Sequence, residues 1–342
     1  MLGTRTAVGL LVCSATALGA SEGELRLAVQ SGYDTNVRRD YDQTGTVVQD
    51  SELSVLGAAT GRTKLSRVSL WGSYEAGLRT FPDFTEETAI AQALNAEGSF
   101  ALAGPVQVGL GTHDKDKRGG NRDYSDLAGD AFLEYVADSG LRARLHGAGH
   151  RYIYWDNFAY SFSAPEVGVS GRYDFSPRHA ASFFAEVSLR TYNSARAAAP
   201  GQPTPDGARQ DTAFTVGASY TFKGPFSLRL GYSYFEQDSN SFGQSWGRHR
   251  WSATAGIRLP WRLFLLLDGA LQLAQYPDGV PFSDVLLAQD QENGNTFSAK
   301  LVRPLFAHLD VEAQYGATYN HLPTNNLTYL RQLAWVGLSC RL

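Results

Sequence analysis

Short tight turns and long polar loops trade places down the entire chain, and between them lie segments in which apolar residues occupy every second position. Leu141, Ala143, Leu145 and Gly147 take one face of such a segment; Arg142, Arg144 and His146 take the other. Side chains on a strand alternate between its faces, so the pattern describes a sheet with one greasy and one polar surface. Inside a bilayer every backbone N–H and C=O must be paired, and a sheet achieves that only by closing on itself. An even number of strands with short turns at one end and long loops at the other is the arrangement a transmembrane antiparallel barrel needs.

The first twenty residues read as a secretory leader. Arg5 lies in a short charged start, an apolar run extends from Ala7 to Val12 and on to Leu18, and small residues follow at Gly19 and Ala20. The expected organisation is a leader over 1–20 and one barrel over 21–342. Cys13 leaves with the leader, and Val12 before it is too large for a lipid-attachment site. Cys340 is then the single cysteine, so no intramolecular disulfide is expected and stability must come from the sheet. Of 30 basic residues Arg5 is lost with the leader, leaving 29 against 34 acidic and a net charge of −5. No basic excess points to nucleic acid, and no pattern points to a cofactor.

Outside the leader there is no stretch of about 18 consecutive apolar residues, which excludes a helical membrane protein. A mean hydropathy of −0.26 by itself suggests a soluble chain. The alternation overrides that impression, because a barrel strand shares its residues between lipid and lumen and its averaged signal is weak.

Sixteen strand candidates emerge. The clearest run over Gly23–Tyr33, Arg67–Thr80, Tyr124–Tyr135, Leu141–Tyr152, Ala181–Tyr192, Thr212–Phe222, Phe226–Tyr234, Trp251–Leu259, Leu263–Tyr276, Leu309–Tyr319 and Leu330–Leu342. Thr88–Phe100 has helical propensity, and only the need for an even strand number assigns it as a strand. Tight turns are expected at Gly61–Lys64, Ala101–Pro105, Ala137–Gly140, Asp174–Pro177, Lys223–Pro225, Pro260–Trp261 and Arg303–Leu305, where Gly, Pro and Asp suit turn geometry. Long loops are expected between them, including Thr112–Asp123, Asn193–Gln210 and Pro277–Asn293. About eleven residues rising ~3.3 Å each at a tilt of ~45° cover roughly 25 Å, the height of a barrel's apolar band. Aromatics gather where strands end. Phe100, Tyr135, Tyr173, Phe175, Phe222 and Trp261 lie near short turns, and Tyr154, Trp155, Tyr192, Tyr234, Phe235, Tyr276 and Tyr319 near long loops. Two interfacial girdles are the expectation.

Gly32-Tyr33-Asp34-Thr35-Asn36-Val37 resembles the G-[YF]-D-[ST]-N-[VI] sequence that closes the first strand of many bacterial outer-membrane barrels, including some that accompany exopolysaccharide export or surface-lipoprotein display. Leu338, Cys340 and Leu342 resemble the alternating terminal strand of such barrels, without the usual terminal phenylalanine. The resemblance implies an all-β, up-and-down transmembrane barrel of about 16 strands in the bacterial outer membrane. Outer-membrane lipid and a hydrophilic solute or polysaccharide are the expected partners, and whether a separate periplasmic protein docks on the short turns is left open by the sequence.

Sixteen strands enclose an interior too wide for side chains to fill, so an aqueous lumen is expected. The polar parity places Asp130, Glu134, Arg142, Arg144, His146, Glu186, Arg190, Arg229, Arg250, Arg258, Asp268, Asp310 and Glu312 on its wall, with Arg67, Glu75 and Lys300. Arg142, Arg144, His146 and His150 share one strand face, and Asp130 and Glu134 stand on its neighbour. They form either a cross-strand charge network or an anion-selecting strip. His146 and His150 are about 13 Å apart on a strand, too far to share a metal, so none is expected. Ser283 is a plausible N-cap for a short helix carrying Phe282, Val285 and Leu286, which would gate the mouth or pack on its rim. His113 with Asp114 and Asp116 at one rim is the sole hint of a hydrolase. The function expected is passive passage of hydrophilic solutes, with surface-polysaccharide export as its specific variant. A structural or adhesive barrel acting through loops and partners is the alternative.

Overall fold

The computed structural model describes residues 20–38, 47–120, 123–278, 294–322 and 327–342. They form sixteen antiparallel strands: β1 (Ala20–Asp34), β2 (Asp50–Leu65), β3 (Val68–Thr80), β4 (Ala89–Ala101), β5 (Val106–Arg118), β6 (Tyr124–Val136), β7 (Leu141–Tyr154) and β8 (Phe162–Ser176). The second half comprises β9 (His179–Ala195), β10 (Ala208–Lys223), β11 (Phe226–Ser239), β12 (Trp246–Leu259), β13 (Leu263–Gln275), β14 (Asn295–Pro304), β15 (Leu309–Leu322) and β16 (Leu327–Arg341). Each strand pairs with the next, and β1 pairs with β16, which closes the sheet into a barrel without an edge. Both end strands reach the short-turn side, where Leu25 and Leu342 exchange backbone hydrogen bonds of 3.0 and 2.9 Å. Of the residues expected to form the leader, 1–19 lie outside the described residues and Ala20 begins β1.

Alternation puts the greasy face outward. Leu110, Leu271 and Leu273 are 62–68% exposed, and Val29, Leu145, Val167, Leu189 and Leu230 are also exposed. Among the described residues no second layer covers them. An apolar surface of this extent is tolerable in lipid and not in water. At the short-turn rim Phe100, Tyr135, Tyr173, Phe175 and Trp261 point out, as the girdle expectation requires.

Several boundaries differ from the expectation. The first tight turn is not Gly61–Lys64, which pairs with both neighbours inside β2. It is Ser66–Arg67, made possible by a positive φ of 50° at Ser66. Arg67 therefore sits in a turn and not on the wall. Thr112–Arg118 extends β5 and is not loop, because His113, Lys115 and Lys117 alternate inward against β4 and β6. Thr88–Phe100 is strand from Ala89 onward, held on both sides by ladder bonds that outweigh local helical propensity. At the long-loop end Tyr192 and Phe235, taken for girdle residues, face inward and are buried, and Tyr154 and Tyr276 share that parity. The outward ring there includes Tyr33, Tyr232, Trp251, Tyr315 and Tyr319.

Candidate functional site: the inner wall

The register places all thirteen expected wall residues on the face opposite the exposed leucines. Asp130 and Glu134 come from β6, Arg142, Arg144 and His146 from β7, Glu186 and Arg190 from β9, Arg229 from β11, Arg250 and Arg258 from β12, Asp268 from β13, and Asp310 and Glu312 from β15. Contacts that skip strands establish that this face is concave. Arg144 on β7 donates to Glu97 on β4 through two hydrogen bonds of 2.9 and 3.2 Å, passing over the Phe132 ring at 3.8 Å. Glu134 approaches the same guanidinium at 3.7 Å. A bidentate arginine–carboxylate fork is among the stronger and more directional polar contacts available.

Further polar groupings line the wall. Arg26 and Lys300 converge on Glu312, Lys300 Nζ forming an ion pair at 2.7 Å and Ser339 Oγ donating at 2.8 Å. Arg341 donates to Asp310 at 2.9 Å. Arg190 on β9 donates to Gln237 on β11 at 2.9 Å. The histidines of β7 diverge in their partners: His150 hydrogen-bonds Asp126, whereas His146 faces Glu166 and Glu186. Of the two sequence expectations for this strand, the contacts describe a cross-strand charge network.

Exposure along the inner face is uneven. Towards the short turns Glu75, Lys223, Arg229, Thr254 and Arg258 are exposed although they point inward. Among the described residues Arg229 and Arg258 have no acidic group within 4 Å. Towards the long loops the wall is lined instead by an arc of rings. Tyr124, Tyr152, Phe162 and Tyr192 follow one another with centroids 5.1–5.6 Å apart, and Phe235, Trp246 and Tyr276 continue further round. Arginines cover these rings. Arg209 lies 4.0 Å from the Tyr192 centroid, and Arg190 stands between Phe162 and Phe235 at 5.3 and 5.5 Å. Alternate parity with Glu186 and Arg190 marks Tyr192 as inward in the sequence itself, a signal that position near a strand end obscured. Glu97 and Glu166 also face the lumen, Glu97 from the weakly patterned Thr88–Phe100 segment and Glu166 beside Pro165, where proline interrupts the strand pattern. Proline has no N–H for a ladder, and the β8–β9 register has no pair at Pro165.

The GYDTNV segment does its work at the barrel seam. Asp34 accepts 3.0 Å hydrogen bonds from Arg331 Nε to both carboxylate oxygens and one of 2.9 Å from the Asn36 backbone. Thr35 N donates to Gln332 O at 3.0 Å, and its Oγ1 accepts from Gln332 N at 2.8 Å. Asn36 Nδ2 donates to Leu330 O. Gly32 has no room for a side chain, since a Cβ would lie 2.5 Å from Ala334 O and 2.7 Å from Trp335 Cβ. Apart from the local Asn36–Asp34 bond, these contacts tie the end of β1 to β16.

The rim histidine offers no Asp–His dyad. His113 turns inward and meets Asn95 Oδ1 at 2.6 Å, whereas alternation sends Asp114 and Asp116 to the other face, where Arg118 holds Asp116 at 2.9–3.0 Å. The segment expected to gate the mouth, with Phe282, Val285 and Leu286, lies outside the described residues.

A closed sixteen-strand barrel with an apolar belt, aromatic rims and a charged interior is a transmembrane barrel of the outer-membrane type. No family model and no curated protein matches the chain. Among solved structures it is similar to OccAB1 of Acinetobacter baumannii (TM-score 0.51, 10% identity, 94% of this chain and 97% of that one). It is also similar to a bacterial polysaccharide outer membrane secretin (0.49, 7%, 94% and 98%) and to OmpT, an outer membrane protein of Vibrio cholerae (0.48, 10%, 95% and 98%). The chain is a bacterial outer-membrane β-barrel, and its belt and rims place it in that membrane.

Proposed function

We propose that the protein is a passive conduit for hydrophilic solutes across the outer membrane. The observation that carries this reading is the exposed inner wall near the short turns. Charged groups sit there in contact with solvent, enclosed by a sheet too wide to be filled by their side chains. Arg229 and Arg258 lie on β11 and β12, while the exposed Glu75 lies on β3, half-way round the strand order. Such opposed charges set a transverse field that orients a dipolar or anionic solute as it passes.

Reconstituted protein is expected to conduct in planar bilayers. Arg229→Glu combined with Arg258→Glu is expected to move the zero-current potential in a salt gradient towards cation preference without loss of folded protein. Folded, inserted protein that carries no current supports instead the structural or adhesive barrel.

Passage of a sugar chain is the narrower version. The aromatic arc supports it, because rings facing a lumen present flat apolar surfaces of the kind that sugar faces pack against. Arg190, Arg209 and Arg248 already cover several of those rings, so a sugar would have to displace guanidinium groups. General solute passage is the better supported of the two. Loss of surface polysaccharide on deletion of the protein would favour the narrower version.

A further inference from the structure

Midway up the inner wall, β7, β8 and β9 bring together three side chains whose separations no hydrogen bond explains. His146 Nε2 lies 3.8 Å from Glu166 Oε1 and 4.0 Å from Glu186 Oε1, and one ligand atom from each residue falls within 4.8 Å of the others. These distances are too long for hydrogen bonds. They suit a shared ion, because nitrogen and oxygen ligands about 2.0–2.2 Å from a zinc-like centre are themselves roughly 3–4 Å apart. Among the described residues, His146 is the one group of potential positive charge within ion-pairing distance of either glutamate. Arg144 below is engaged by Glu97 and Glu134, and Arg190 above is held by Gln237.

The backbone supplies the space. Gly168 pairs directly with His146 on one side and with Glu186 on the other, and its missing side chain lets the imidazole and the Glu186 side chain lean towards each other over its backbone. A Cβ at that position would lie 2.7 Å from Glu186 Cγ and 2.8 Å from His146 Nε2. Glu166, two residues earlier on the same face of β8, provides the third side. Its direct neighbours, Ala148 and Ser188, are small. The three side chains remain partly exposed on the lumen side, at 15–35%, which leaves a coordination position for water.

We propose that His146, Glu166 and Glu186 bind a divalent transition-metal cation of the Zn2+ class on the lumen wall. One imidazole nitrogen and two carboxylate oxygens suit such an ion better than Cu(I), which prefers sulfur, or Mg2+, which prefers an all-oxygen octahedron. A bound cation replaces repulsion between two carboxylates with attraction and staples three consecutive strands. This grouping is not legible in the sequence, because the ligands come from three strands, whereas the His146/His150 pair that stands out lies on one.

The test is a calorimetric Zn2+ titration of the folded, chelator-treated barrel at pH 7.5, with Co2+ absorption as a second probe. One ion per barrel is expected, with binding weakened at least tenfold in His146→Ala, Glu166→Gln and Glu186→Gln. The glutamine variants preserve side-chain volume, and circular dichroism reports whether each barrel is folded. His150→Ala is expected to bind as the parent does. Absence of one-to-one binding by the parent, or unchanged affinity in the three variants, overturns the proposal. Conductance enters none of these readouts, so the site stands or falls independently of the conduit.

Discussion

Ala253→Arg is expected to destabilise the barrel by about 2–4 kcal/mol, the cost of a basic side chain facing mid-bilayer lipid. Ser252→Arg, one residue away, is expected to stay within roughly 1 kcal/mol of the parent, because the new side chain enters the lumen. Both positions are exposed on β12, and both follow the ladder that sets Ala253 opposite Leu230 and Gly269 and Ser252 opposite Gly231 and Ala270. Ala253 sits between the rim residue Trp251 above and Ile257 near the short turn, which puts it close to the centre of the belt. Urea unfolding of liposome-inserted protein measures the difference as a shift in midpoint at constant slope. Equal effects at the two positions would mean that the exposed apolar face does not meet lipid, and the outer-membrane assignment would fall with it.

The second large effect is expected at the seam. Asp34→Ala should cost about 3–5 kcal/mol, because it leaves the Arg331 guanidinium enclosed without its carboxylate. The Asp34 side chain is 0% exposed and that of Arg331 is 15% exposed. Removing both charges, as Asp34→Ala with Arg331→Leu, should recover more than half of that loss, since the enclosed cation is then gone as well. The same urea experiment reads all three variants, and amide exchange should show faster opening of β1 and β16 in the single variant. A double variant no more stable than Asp34→Ala would show that the pair is incidental to closure.

The seam also shows what the GYDTNV segment contributes. Its resemblance to outer-membrane barrels is a resemblance in architecture, because Asp34, Thr35 and Asn36 each hydrogen-bond the last strand. None of them points to a solute. Function must therefore be sought on the inner wall, where the exposed arginines of β11 and β12 and the ring arc nearer the long loops divide the lumen into a wet part and a crowded part.

The amino-acid order alone determined the barrel and its sidedness. Period-two alternation fixes which side chains share a face, so Arg144, Glu186 and Asp268 could be assigned to the wall without coordinates. Turn chemistry together with the need for an even count set the strand number. Where local signals conflicted, as at Thr88–Phe100, at Pro165 and at the false turn Gly61–Lys64, the ladder decided, since pairing with two neighbours outweighs propensity in any one segment. Which wall residues meet was beyond the sequence. Arg144 reaches Glu97 across two intervening strands, and His146 and Glu186 lean together over Gly168 beside Glu166, because register between strands and the curvature of the closed sheet set those distances.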